Sequence, residues 1–108
     1  MTREERQALI AQMQAGNENR ARLQAGEMVF IAVDGCPGQW YCAHTFMETR
    51  TRQTTHIYQV SETECECDHF RFRCLYNGIK CKHQIALRDY LRRLQEFQTE
   101  MRRQLKSA

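Results

Sequence analysis

The chain has 108 residues and a formal net charge of +3; 27% of the residues are charged and 42% are hydrophobic. This composition excludes a disordered tail and fits one small domain with helical extensions. The longest apolar run, Met28 to Val33, is far too short to cross a bilayer, and the excess of positive charge is smaller than in a globally basic nucleic-acid binder.

The N-terminal residues indicate where the protein works. Met1 to Gln7 carry charges with no apolar run behind them, so we expect no secretory signal and an intracellular location, cytoplasmic or nuclear. Thiols stay reduced there, and clustered cysteines are more often metal ligands than disulfides. A core this small also gains from a metal that crosslinks it.

Segment 1–26 is predicted to be helical. A helix is expected from Thr2 to about Gln24, because Thr2-x-x-Glu5 matches a capping box and helix-forming residues dominate. Gly16-Asn17 and Ala25-Gly26 are candidate break points, and the first of them would end the helix early.

Three short segments rich in β-branched and aromatic residues follow. They are Met28 to Val33, Gln39 to Met47 and Thr54 to Val60, with a turn-rich stretch at Asp34–Gly38. The short connections predict an antiparallel meander. Segment 27–91 is therefore expected to hold a small antiparallel sheet and the metal-binding region.

The last segment, from about Lys82 to Lys106, has helical periodicity. Its apolar residues recur at steps of three and four, and its basic residues fall on a separate face: Leu87, Leu91, Leu94, Phe97, Met101 and Leu105 against Arg88, Arg92, Arg102, Arg103 and Lys106. The part 92–108 is expected to extend beyond the domain, and beyond about Phe97 the apolar stripe is expected to pair with the N-terminal helix or with a second copy.

The most informative motif is Cys65-Glu-Cys67, then thirteen residues, then Cys81-Lys-His83. Zinc prefers four soft or borderline donors in a tetrahedron, and two close pairs joined by a loop supply its two opposite edges. The first pair is expected at a strand end or turn and the second where the chain enters the last helix. The sequence therefore predicts a closed, structural zinc site in a ββα-like arrangement.

Two alternatives use the same residues differently. In the first, the three cysteines are buried thiols and His83 is an unrelated surface histidine. In the second, an iron–sulfur cluster uses Cys74 together with Cys65, Cys67 and Cys81, which leaves His83 without a role. Cys36 and Cys42 are interpreted as ordinary free thiols and Cys74 as a core thiol.

The two pairs and their surroundings resemble the SWIM zinc finger over about residues 55 to 90. The similar features are a strand before the first cysteine, an aromatic residue in the spacer and an apolar helix start: Tyr58-Gln-Val60, Phe70 and Ile85-Ala86-Leu87. Two positions depart from the family pattern. Asp68 stands where proline is frequent, and Gln84 stands where a small or apolar residue is common.

The resemblance implies a non-enzymatic α+β module with one structural Zn²⁺ held by Cys65, Cys67, Cys81 and His83. SWIM fingers occur in transposase-like, helicase-associated and recombination proteins, so the resemblance also implies DNA binding or assistance to a DNA-processing protein.

Basic residues near the motif are candidates for phosphate contact. Arg71 and Arg73 alternate with Phe70 and Phe72, and on a strand the two arginines would share a face. The alternative is a buried aromatic face with solvated arginines opposite. The candidate nucleic-acid residues are Arg71, Arg73, Lys80, Lys82, Arg88 and Arg92.

Rival functions stay open at this stage. One is a protein–protein adaptor that binds a partner, or a second copy as a homodimer, through the apolar stripe of the last helix. Another is a thiol redox protein that uses Cys65 and Cys67. An enzyme is not expected, since no nucleophile–base arrangement or phosphate-cradling glycine loop is visible.

Overall fold

The computed structural model describes residues 1–107, so Ala108, the last residue of the predicted extension 92–108, lies outside the described part. Within that part the chain forms helices at both ends and an antiparallel sheet between them: α1 (Arg3–Gln24), β1 (Met28–Ala32), β2 (Trp40–Met47), β3 (Gln53–Val60), α2 (a π-helical turn Phe70–Cys74 that continues as Leu75–Asn77) and α3 (Lys82–Ser107). The predicted α+β class is confirmed.

Helix α1 begins at the predicted capping box. The Glu5 backbone N–H donates to Thr2 Oγ1 at 3.1 Å, which satisfies one of the free donors of the first turn. The helix ends at Gln24 as predicted, and it continues through Gly16, so the first candidate break point does not end it. A tertiary contact overrides the local preference, because Asn17 is fully buried against the loop that precedes α3. The second break point holds, and a 3₁₀ turn at Ala25–Glu27 leads into β1.

The sheet is the predicted meander in the order β1-β2-β3, with both neighbouring pairs antiparallel. The β1–β2 connection folds back through the Val33 N–H, which donates to the Gln39 carbonyl at 3.0 Å. Gly35 and Gly38 have φ angles of 74° and 83°, which an L side chain rarely adopts. The turn residues in this stretch therefore have a direct conformational role.

The chain after β3 makes a tight turn and then a helical segment. The Ser61 N–H donates to the Glu64 carbonyl at 2.8 Å, and Cys65 forms an isolated bridge with Val60. The strand on which Arg71 and Arg73 would share a face does not form, because these residues lie in the π-helical turn of α2. In that turn the buried positions are four apart, Phe70 and Cys74.

Helix α3 covers one face of the sheet with its first half. Ile85 and Leu87 are fully buried, and the Tyr90 ring lies 5.4 Å from Phe30 and 5.7 Å from Trp40 between centroids. Helix α1 packs against the start of α3, where Ala21 of α1 and Ala86 of α3 are buried. Glu18 of α1 accepts two hydrogen bonds from Arg88 of α3.

The molecule is elongated because both long helices extend beyond this core. Its radius of gyration is 16.7 Å, whereas a compact domain of this size has about 13 Å. The second half of α3 leaves Phe97 and Leu105 exposed. No helix within residues 1–107 has the length and apolar character that a membrane span requires.

Candidate metal centre

The four predicted ligands come from two chain segments that meet between the sheet and α3. Cys65 lies at the bridge to Val60, and Cys67 lies just before α2. Cys81 immediately precedes α3, and its carbonyl accepts the first helical hydrogen bond from the Ile85 N–H at 3.1 Å. His83 lies in the first turn of α3. The placement predicted for the two pairs, after a strand and at a helix start, is confirmed.

The geometry of these donors suits a tetrahedral ion. One donor atom from each residue lies within 4.8 Å of the other three, and all four residues are buried. Cys65 Sγ is 3.8 Å from His83 Nδ1. Zn–S bonds of about 2.3 Å and a Zn–N bond of about 2.0 to 2.1 Å place tetrahedral donors roughly 3.5 to 3.8 Å apart. The four side chains can therefore hold one metal ion with small movements.

The electrostatics of the thiols also favour a cation. Hydrogen bonds from the Cys65 and Cys81 thiols lower the pKa of Cys67. The Phe70 backbone N–H, 3.4 Å from Cys67 Sγ, acts in the same direction. A buried thiolate without a positive partner is unfavourable, because it has lost its hydration. A divalent ion bound by Cys67 would supply the positive charge.

A second histidine orients the ligand histidine. His83 Nδ1 faces the thiols, and its Nε2 lies 3.4 Å from His44 Nδ1 on β2. His44 Nε2 lies 2.9 Å from Glu27 Oε1. Burial lowers the pKa of His44, so its neutral ring can accept from His83 and donate to Glu27. This series of hydrogen bonds from His83 to His44 to Glu27 fixes the tautomer that presents His83 Nδ1 to a metal.

Sequence reasoning missed His44, because its spacing to the ligands is not informative. Strand alternation could have predicted that His44 points inward, since it is two residues after the inward-facing Cys42 on β2. Glu27, at the end of the 3₁₀ turn, had no comparable signal. Its role depends on the meander bringing β1 beside β2.

Gln84 ties the two ligand segments together. Its Oε1 accepts from the Cys81 N–H at 3.0 Å, as in the second half of a capping box. Its Nε2 donates to the carbonyls of Ser61 and Glu62, both at 3.3 Å. The polar residue at this position, a departure from the SWIM pattern, is thus buried and bonded to the turn that leads to Cys65.

Helix α1 supports the same loop from the other side. Asn17 Nδ2 donates to the Lys80 carbonyl at 2.9 Å, and His69 Nε2 lies 3.0 Å from Asn17 Oδ1. Burial lowers the pKa of His69, so a neutral ring donates to the amide oxygen. The N-terminal helix therefore contacts both ends of the spacer between Cys67 and Cys81.

The remaining cysteines lie outside the four-residue cluster. Cys74 is buried and accepts a weak hydrogen bond from Asn17 Nδ2 at 3.6 Å. Cys42 is buried in the core, and Cys36 is exposed. The cluster contains His83 and not Cys74, which disfavours the iron–sulfur alternative. His83 is also buried, which disfavours its interpretation as an unrelated surface histidine.

The predicted basic residues do not form one surface. Arg71 lines a hollow with Glu64 and Glu66, whereas Arg73 lines a different cleft together with Lys82. The two arginines do not share a face, since they lie in a helical turn and not on a strand. The other three are bonded elsewhere: Lys80 to the Glu62 carbonyl, Arg88 to Glu18 and Asp89, and Arg92 to Asp89.

A cleft of about 830 Å³ opens beside the metal cluster. One part of its lining is aromatic and comes from β2 and β3, with Phe46, His56 and Tyr58. The basic part comes from α1, α2 and α3, with Arg20, Arg73 and Lys82. Arg20 donates to Asn17 Oδ1 and Lys82 donates to Gln24 Oε1 at 2.8 Å, so both are bonded to neutral amides. Among residues 1–107 none of the three cations lies within 4.0 Å of a carboxylate oxygen. Glu27 and Asp68 also line the cleft, and Glu27 is bonded to His44.

Comparison with protein-family models, curated proteins and solved structures finds no match to the chain. The function must therefore be inferred from the site.

Proposed function

We propose that this chain is a non-enzymatic module in which Cys65, Cys67, Cys81 and His83 hold one structural zinc ion. The buried set of three thiols and one imidazole carries the proposal. This is a donor set that zinc prefers, and four protein ligands leave no coordination position for a substrate. The bound ion would contribute folding energy, because the unfolded chain has no preformed site.

Metal analysis of the purified protein tests this proposal. We expect one zinc per chain. A strong chelator should unfold the region from Tyr58 to Leu91, which would be seen as a weaker circular dichroism signal of the whole protein. Cys67→Ala should lose the metal. Cys74→Ala, at a buried cysteine outside the cluster, should keep it. A metal-free protein with an unchanged melt, or loss of metal from the Cys74 variant, would contradict the proposal.

We further propose that the module binds DNA at the cleft beside the metal cluster. The support is the trio of Arg20, Arg73 and Lys82, whose charges have no carboxylate partner within residues 1–107. Burial lowers the pKa of Lys82, so a phosphate there would meet a partly desolvated cation. The aromatic residues of the same cleft offer rings on which unpaired bases can stack, so a single strand fits better than a duplex.

Matched variants distinguish this site from general charge attraction. We expect labelled single-stranded DNA to bind with a log–log salt slope of about −2, as for three neutralised phosphates. Arg73→Gln should weaken binding, whereas Arg71→Gln on the same turn should have little effect. Equal losses in both variants, or no binding at low salt, would contradict the cleft as a DNA site.

A protein-binding adaptor is the second candidate function. It is supported by one observation, the exposed and uncharged outer face of the sheet, since the centres of protein interfaces are depleted in charged residues. Binding of a second protein with no DNA binding at any salt concentration would favour this candidate.

A further inference from the structure

Two of the apolar surfaces that are uncovered within residues 1–107 differ in shape. The first is the outer sheet face, the side of the sheet that points away from α3. It contains Val29, Ile31, Tyr41, Ala43, Met47 and Ile57, and its other members are threonine or glutamine. No charged side chain points outward from the three strands, although 27% of the chain is charged. Ile57 is 66% exposed and Val29 is 60% exposed.

The second surface is the tail stripe, formed by Leu94, Phe97, Met101 and Leu105. It continues, on the same face of α3, the residues that cover the inner side of the sheet. Phe97 is 62% exposed and Leu105 is 72% exposed. A helix normally buries such a stripe, and within residues 1–107 no element of the same chain covers these two side chains.

We propose that two copies of this chain pair about a two-fold axis, so that the tail stripe of each copy covers the outer sheet face of the other. This inference goes beyond the proposed function and holds whether or not the module binds DNA.

The symmetry of this arrangement follows from the stripe lying on one face of α3. The first half of α3 supports its own sheet, so a sheet placed on the tail stripe lies beside the first one in the same layer. We place its outer face there, because its own α3 covers the part of the inner face around Phe30 and Trp40, and the remainder lines the cleft beside the metal cluster. Its own α3 then lies on the opposite side of the layer, and its tail reaches the outer face of the first sheet. One two-fold axis therefore satisfies both contacts.

The dimensions agree with this pairing. Residues 94–107 span about 21 Å as a helix, and the eight residues of β2 span about 26 Å. A helix about 21 Å long and 12 Å wide covers roughly 250 Å² of sheet. Two contacts with two surfaces each therefore bury about 1,000 Å², the lower limit for a biological interface. Two outer sheet faces stacked on each other would bury roughly 600 to 700 Å², because only two faces of three strands are then covered.

Mass measurement of the zinc-loaded full chain tests the proposal. We expect a dimer whose dissociation constant rises at least about 100-fold in Phe97→Asp and in Ile57→Asp, because each change would bury an unpaired charge. Thr99→Asp, on the opposite face of the same helix, should leave the dimer unchanged. Zinc content should be equal in all variants, so that loss of the fold is distinguished from loss of the interface.

Crosslinking identifies which surfaces meet. In a Cys36→Ser background we would introduce Gln98→Cys beside the tail stripe, or Thr55→Cys on the outer sheet face. A short thiol crosslinker should join the two variants when mixed, and neither with itself. Self-crosslinking of Gln98→Cys, self-crosslinking of Thr55→Cys, or a monomer at all concentrations would overturn the proposal. A monomer that binds another protein through Ile57 would instead support the adaptor.

Discussion

Replacing Gln84 with alanine tests how the two ligand segments are joined. This side chain makes three hydrogen bonds, one with the Cys81 backbone N–H and two with carbonyls of the turn after β3. It is 1% exposed, so water cannot replace these partners without a local opening. We expect Gln84→Ala to destabilise the protein while all four proposed ligands stay in the chain.

The magnitude follows from the groups that lose their partner. The Cys81 N–H would be left buried and unsatisfied, which costs about 1 to 3 kcal/mol. The two carbonyl bonds, both at 3.3 Å, share one amide group, and their loss adds about 1 kcal/mol. A total of about 3 kcal/mol is a large part of the stability of a small domain.

Denaturant unfolding at saturating zinc measures this loss directly. Gln95→Ala is the matched control, since it is the same substitution at an exposed position of the same helix, away from the tail stripe, and it should change stability by less than about 0.5 kcal/mol. A Gln84→Ala protein as stable as this control would show that the buried amide does not hold the turn to the helix.

Three further predictions use the same structure. His44→Ala should lower zinc affinity about 10- to 100-fold in a competition assay, and Glu27→Gln should lower it less, because the amide still accepts from His44; equal affinities would exclude the orienting role. In the zinc-loaded protein a thiol reagent should modify Cys36 rapidly and no other cysteine, and rapid modification of a second thiol would contradict the burial. Burial raises the pKa of Cys42 from 9.0 to about 12, so its contribution to stability should be complete below pH 9 and lost between pH 9 and 12. The free energy of unfolding of Cys42→Ser should therefore depend less on pH over that range. An identical slope would refute the raised pKa of Cys42.

Much of the fold could be predicted because its signals are local. The Thr2 capping box, the three apolar strand segments and the amphipathic period of α3 are each read within a few residues. The break signal inside α1 was misleading for a non-local reason. Gly16-Asn17 is a break signal by propensity, but Asn17 is held by the Lys80 carbonyl, which is far away in the sequence.

The candidate site shows the same division. The four donors are predicted by spacing, because two short-range pairs are a local pattern. The alternation of aromatic and basic residues from Phe70 to Arg73 did not distinguish a strand from the π-helical turn that forms, which buries positions four apart. The partners of the ligands, His44 and Glu27, depend on strand register, which short motifs do not encode.

The metal centre and the proposed dimer should be coupled, because the same helix serves both. Cys81 and His83 fix the first turn of α3, and that turn sets the direction in which the tail stripe leaves the domain. If chelation releases this turn, the tail can no longer reach the partner's sheet in a fixed orientation, and the dimer should dissociate as the ion is removed. A chelator titration followed by circular dichroism and by sedimentation should give coincident transitions, with Cys74→Ala as a control that retains both. A dimer that persists after the spectrum has changed would show that the interface does not require the metal-bound start of α3.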